Sequence, residues 1–257
     1  LTIVLLNPTY VADCAVPNNQ IIMNKQSNTY TIIYISALVC IVGAVLAWVA
    51  LALKPKQSDN IRIDKMQQML SSIRITSTTD NAIDLYNKYV VDSYIVNDNG
   101  EKLSGEAFDI SVASEIKKAE NERQLPVFVC NIDNSIKYII PVYGAGLWGP
   151  IWGYIAVESD GSTIYGAYFS HQGETPGLGA EIAKPAFADQ FNGKHLYKGG
   201  EFKSISVIKN GNAPTDGSDY VDGISGGTIT SKGVQSMLKS CLSCYQAFFN
   251  GIQQNNK

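Results

Sequence analysis

The 257-residue sequence predicts an α+β domain behind a single N-terminal transmembrane helix. Three observations lead there. Residues 26–53 contain no charged side chain, and 32–53 are almost wholly apolar. Downstream, short β-branched and aromatic runs alternate with Asn/Asp/Gly/Ser turn signals, the mark of strands. Between and after them lie stretches with apolar residues at helical spacing, but without the strict alternation of strand and helix that builds parallel sheets.

The apolar run is long enough to cross a hydrocarbon core of about 30 Å as a helix, and a helix satisfies its own backbone in lipid. Tyr30, Tyr34 and Trp48 stand toward its ends, where amphipathic rings favour the interface. Ala50-Leu-Ala52 has the small-residue pattern of a signal-peptidase site, but the run before it exceeds the usual hydrophobic segment of about 7–15 residues. An uncleaved anchor is the expectation. Residues 1–22 show neither helical nor strand periodicity, and Met23 opens a short polar run before the span. The expected organisation is therefore a non-native extension at 1–22, a tail and anchor at 23–54 with translation starting at Met23, and one extracytoplasmic domain at 55–257. Charge opposes that placement. Lys25 precedes the span and Lys54, Lys56, Arg62 and Lys65 follow it, a bias that favours a cytoplasmic domain, although long domains translocate despite it.

Beyond a 54–58 linker, 61–73 reads as an amphipathic helix with Met66, Met69, Leu70 and Ile73 on one side, joined to the anchor with a short break at Pro55. Residues 89–96, 125–130, 136–143, 152–158 and 163–170 read as strands. Pro141 marks an edge or a bulge, and Ser159-Asp-Gly-Ser162 marks a hairpin. Residues 107–121 and 183–191 read as helices. A last helix over 231–252 carries Val234, Met237, Leu238, Cys241, Tyr245 and Phe248 on one face.

Composition removes several functions. A net charge of −3 gives no basic footprint for nucleic acid. The two histidines, His171 and His195, are far apart, so no zinc-binding spacing exists, and no metal ligand set is expected. Neither a GxxxxGK[ST] loop nor a strand-to-helix GxGxxG is present. Five cysteines in so long a chain do not form a disulfide framework. Cys241-Leu-Ser-Cys244 has redox-motif spacing, but it lies late in a helix and Cys241 falls on the apolar stripe, so packing is the expected role; Cys40 lies inside the span. His171 sits at a hairpin end, where it orients the following loop or relays a proton. No acidic residue lies in the span to coordinate sodium.

Three glycine-rich segments remain: Gly144-Ala-Gly-Leu-Trp-Gly149, Glu174-Thr-Pro-Gly-Leu-Gly179 and Asp222-Gly-Ile-Ser-Gly-Gly-Thr-Ile-Thr-Ser231. Each alone reads as a turn. In the third, Gly226 and Gly227 leave the backbone bare before Thr228, Thr230 or Ser231 is placed to cap the following helix, and that helix start favours an anion. Asp222 adds an acidic group just upstream.

Asp222-Gly223-Ile-Ser225-Gly226-Gly227-Thr228 resembles the D-G-x-S/T-G-A-T motif through which a flavin transferase attaches flavin mononucleotide (FMN) as a phosphoester, with Gly227 where alanine is usual. The resemblance puts FMN on Thr228, with Ser225, Thr230 and Ser231 as neighbouring hydroxyls. With the Gly-Leu-Trp148 and Glu-Thr-Pro-Gly-Leu-Gly segments and the 152–157 strand, the chain from Met23 onward resembles the C subunit (NqrC) of the sodium-translocating NADH:quinone reductase. The G subunit of Rnf-type complexes shares two of these motifs. A tethered ligand-binding domain without redox function is the reading from another class. What the resemblance implies is electron transfer from NADH toward quinone, coupled to sodium export. It further implies partner subunits of the reductase, a flavin transferase for maturation, and a domain on the outer side of a bacterial inner membrane. It also places the isoalloxazine ring near Glu174, Thr175, Leu178 and Gly179, with Trp148 as a stacking wall. No catalytic residue is expected in the chain itself.

Overall fold

A computed structural model describes residues 28–255; the expectations for residues 1–22, Met23 and Lys25 lie outside the described residues. The chain divides into two compact units, Leu1–Gln57 and Ser58–Lys257. Helix α1, Asn28–Ser72, extends over parts of both. In the first unit Ile32, Leu46, Trp48 and Leu51 are each more than half exposed. An 18-residue window of mean hydropathy 2.6 has no buried residue, so this stretch is long and apolar enough to cross a membrane. The expected break at Pro55 does not occur: the helix runs through it. Proline removes one N–H, but its fixed φ of about −65° is helical, and ordered turns on both sides carry the single lost bond.

In the second unit, Met66, Met69, Leu70 and Ile73 at the end of α1 are buried, as their spacing predicts. They pack on one face of a six-stranded antiparallel sheet. Its strands are β1 (Val90–Val96), β2 (Lys102–Leu103), β3 (Leu125–Ile132), β4 (Ser135–Ala145), β5 (Pro150–Glu158) and β6 (Ile164–His171), in the order β2-β1-β3-β4-β5-β6. Alternation sorts the side chains. Phe128, Cys130, Ile139, Tyr154 and Ala156 join α1's apolar residues, while Val127, Ile140, Val142, Ile151, Ile155 and Val157 face the opposite core. Burial on both faces explains why β3 and β5 read as nearly continuous apolar runs.

Pro141 lies in a central strand but at a local edge. The β3–β4 ladder ends at Phe128↔Ile139. Continuing its register would set Pro126 against Pro141, and neither has an N–H to donate.

The second core is closed by helices α5 (Thr228–Ser243) and α6 (Gln246–Asn255). Val234, Met237, Leu238, Cys241, Tyr245 and Phe248 are all buried there. The single expected helix is two, because Cys244 and Tyr245 bond back three residues to Cys241 and Leu242, and the buried Tyr245 hydroxyl donates to the Pro126 carbonyl at 3.0 Å. Tertiary anchoring of that ring overrides the helical period.

The helices expected over 107–121 and 183–191 are likewise fragments. Phe108 lies under Arg62 and Lys65 of α1, and the Lys65 ammonium takes its carbonyl. That leaves a 3-10 turn at Ala107–Asp109 and the short α3, Val112–Glu115. Lys184 is extended (φ −85°, ψ 145°) because it precedes Pro185, which separates a 3-10 turn at Gly179–Ala183 from α4, Pro185–Ala188. Helix α2 (Ala82–Tyr89), the pair β7 (Tyr197–Lys198) and β8 (Glu201–Phe202), and the parallel pair β9 (Ser206–Ile208) and β10 (Tyr220–Asp222) carry weak local signals.

Candidate functional site: three loops at the start of helix α5

Strand β10 delivers Asp222 to the glycine-rich turn. Its amide donates to Gln190 Oε1 at 2.9 Å, and Gly223 N donates to the Ile208 carbonyl, which continues the β9 pairing. The chain then reverses. Gly227 N bonds to Ile224 O at 3.0 Å, and Gly226 adopts φ +73°, a conformation that suits glycine. A Cβ at Gly226 would also lie 2.6 Å from Leu178 Cδ2, so the second loop rests directly on the third.

Thr228 follows as the first residue of α5, with its side chain exposed. The capping position is held by Gly227, and no side chain caps the helix. The expected caps are engaged elsewhere. Ser231 Oγ accepts from Ile224 N at 2.9 Å and braces the turn from inside, while the buried Thr230 hydroxyl donates to Glu174 Oε2. Both are buried, in contrast to Thr228 and the neighbouring Ser225. First-turn N–H groups with no side-chain acceptor, at the positive end of a 16-residue helix, suit an anionic group attached at Thr228.

Glu174 joins all three loops. Its carboxylate accepts from Trp148 N at 2.8 Å and from the Thr230 hydroxyl. Burial pushes its pKa up, but these hydrogen bonds outweigh burial and hold it below the usual carboxylate value. Its own amide donates to His171 Nδ1 at 3.2 Å, so the histidine orients this loop. At 4% exposure Glu174 sits behind the surface that the resemblance assigned to it. Gly179 is buried too, and a Cβ there would collide with both Glu174 Oε2 and Thr230 Oγ1. The Thr175 carbonyl accepts from Leu178 N and Ala180 N, both at 3.1 Å, closing the turn that carries Leu178 outward.

Each loop puts an apolar side chain into solvent: Leu147 and Trp148 from the first, Leu178 from the second, and Ile229 beside Thr228. Trp148, at 69% exposure, is the most open of them. On the other flank of the turn lies an open groove of about 1010 Å³, lined by Lys209, Asn212, Ser225, Thr228, Lys232 and Gln235 among others. Leu147, Ile229 and the 209–215 side of this groove escape sequence reasoning, because nothing local distinguishes them. Only the i,i+4 spacing of Thr228 and Lys232 was available as a signal.

At the far end of α5, Cys241 Sγ donates to Tyr143 O at 3.2 Å and lies 3.4 Å from Tyr143 N, pinning the helix to β4. Burial pushes its thiol up to about 11. Both Cys241 and Cys244 are free thiols.

Similarity to known proteins converges on the same segment. The FMN-binding domain family matches residues 146–243, which hold the second and third loops and the first from Gly146 onward. The C subunit of the Na(+)-translocating NADH-quinone reductase of Vibrio anguillarum is 33% identical over 229 residues, covering 82% of this chain and 89% of that protein. The crystal structure of the corresponding C subunit from Parabacteroides distasonis shares 53% identity and superposes with a TM-score of 0.73, covering 77% of this chain and 96% of the other. The Shewanella oneidensis NqrC structure superposes at 0.62 with 27% identity, covering 76% and 99%. With the anchor-like helix, the α+β domain and the loop sequences in the same order, the chain belongs to the NqrC family, the C subunits of the Na(+)-translocating NADH-quinone reductases.

Proposed function

We propose that this chain is the electron-transfer subunit of a sodium-translocating NADH:quinone reductase, with FMN held as a phosphoester on Thr228. The observation that carries the covalent assignment is the local contrast among hydroxyls at the turn. Thr228 is exposed at the first position of an uncapped helix, while Thr230 and Ser231 are buried and already bonded. Ser225 is exposed but precedes the helix start.

Bound FMN supplies the electron chemistry; the protein supplies tether, orientation and field. The Thr228 oxygen would be the attachment point, and the N–H groups of the first turn of α5 would stabilise the phosphodiester charge. Gly226 and Gly227 keep the approach to that oxygen clear. Leu178 and Trp148 offer apolar surface to the ring, and Thr175 holds Leu178 outward through its carbonyl. Asp222 and Gly223 anchor the motif to β10. A threonine hydroxyl is a weak nucleophile, so a flavin transferase provides the activation. The domain lies on the outer side of the bacterial inner membrane, tethered by the apolar part of α1 and docked to the other reductase subunits.

The test is co-expression with a flavin transferase. The protein band should fluoresce under ultraviolet light after denaturing electrophoresis, and Thr228→Ala should abolish that fluorescence. A fluorescent Thr228→Ala band would reject the attachment site.

A further inference from the structure

Glu174 is a buried acid in a position the flavin tether does not require. It is 4% exposed, and among the described residues it forms no salt bridge. Removing an ionised carboxylate from water without a counter-ion is costly. Two donors offset that cost, and they come from separate segments: Trp148 after β4 and Thr230 in the first turn of α5. The carboxylate is thus the point at which loops distant in sequence are tied together.

Its place has two consequences. Thr230 is two residues beyond Thr228, so the carboxylate lies across the first turn of α5, one helix diameter (~10 Å) from the tethering hydroxyl. Gly179 packs between Glu174 and the glycine turn, and Leu178 covers Gly226. Releasing the carboxylate would therefore free Leu178 from the Gly226 turn that leads into Thr228. Its charge, poorly screened by solvent, also acts on anything held there.

We infer that Glu174 is a positioning residue: it fixes Leu178 over the Gly226 turn that leads into Thr228, and its buried charge keeps the reduction potential of a flavin tethered at Thr228 low. This rests on the Thr228 reading above. A fixed anion disfavours the arrival of further negative charge, so neutralising it should make reduction easier.

Glutamine separates the two effects. Its Oε1 can accept the Trp148 amide and its Nε2 can donate to Thr230 Oγ1, so the bonds persist while the charge is lost. With full-length protein co-expressed with a flavin transferase, Glu174→Gln should load covalent flavin within about twofold of wild type, yet titrate at a higher midpoint potential. Glu174→Ala should lose loading several-fold while the far-ultraviolet circular dichroism of the domain is kept. Thr230→Val removes one bond and keeps the charge; it should load less flavin without a rise in potential. An unchanged potential in Glu174→Gln overturns the charge claim, and wild-type loading in Glu174→Ala overturns the positioning claim. Should Glu174→Ala fail to fold, wild-type loading in Thr230→Val decides against positioning. Thr228→Ala run alongside keeps the two readings apart, since flavin retained there rejects the attachment site whatever Glu174 does.

Discussion

The two ends of helix α5 carry two of the chain's short sequence motifs, and they have opposite fates. At the start, the glycine-rich turn leaves Thr228 exposed on an uncapped helix. Near the end, Cys241-Leu-Ser-Cys244 has the spacing of a redox pair, but Cys241 is 1% exposed and hydrogen-bonded to β4. Thiolate character requires exposure and a positive environment. Cys241 has neither, and its thiol is held protonated well past neutrality. A hydroxyl, intrinsically the poorer nucleophile, has the accessible position. Accessibility and helix polarity, not the reactivity of the isolated residue, separate the proposed attachment end of α5 from the packed one.

That comparison breaks or holds with mutations at each end. The largest expected contrast is between Thr228→Ala and Leu238→Ala. The first should remove all covalent flavin while changing unfolding free energy by no more than about 0.5 kcal/mol, as for an exposed site. The second empties a fully buried position and should cost about 2–5 kcal/mol in urea unfolding, while the folded fraction still carries flavin. A smaller effect concerns pH. Burial raises Cys241 from 9.0 to about 11 and Cys130 from 9.0 to about 12. The unfolded chain therefore releases these protons first. Unfolding free energy should be insensitive to them below about pH 9, and should fall as pH rises toward 11 and above. Cys241→Ala should flatten part of that slope, as urea titrations between pH 8 and 11 would register. Smallest of all, Cys244→Ser should shift stability by about 0.5 kcal/mol or less and leave flavin loading unchanged, because Cys244 is only half-buried and serine retains a polar atom for Ser240 O and Arg123.

Much of this was legible in the sequence, for identifiable reasons. The β-branched and aromatic runs of β3 to β5 and the apolar stripe from Val234 to Phe248 are local patterns, and the structure reproduces them. The α5 break was not legible, since it depends on Tyr245 reaching Pro126 across the fold. Nor was the fragmentation around Phe108, which depends on Lys65. Pro55 misled in the other direction: its local rule predicts a break that the surrounding helix overrides. At the site, the motif drew attention to Thr228, but it left Thr230 and Ser231 as caps. Their true partners, Glu174 and Ile224, are a distant residue and a turn amide, and only the folded chain brings them together. Glu174 entered only through the resemblance, as a neighbour of the flavin ring; its burial and its bonds to Trp148 and Thr230 depend on the folded chain.

The central claim is that the hydroxyl of Thr228, and no other at this turn, is the attachment point. Peptide mass spectrometry of protein co-expressed with a flavin transferase tests it most directly. Cleavage after Lys209 and Lys232 gives a peptide, 210–232, that contains Thr228 together with Ser225, Thr230 and Ser231. The expected result is one added FMN less one water, with fragment ions assigning it to Thr228. The same mass on Ser225, Thr230 or Ser231, or an unmodified peptide from fully folded protein, would contradict the account.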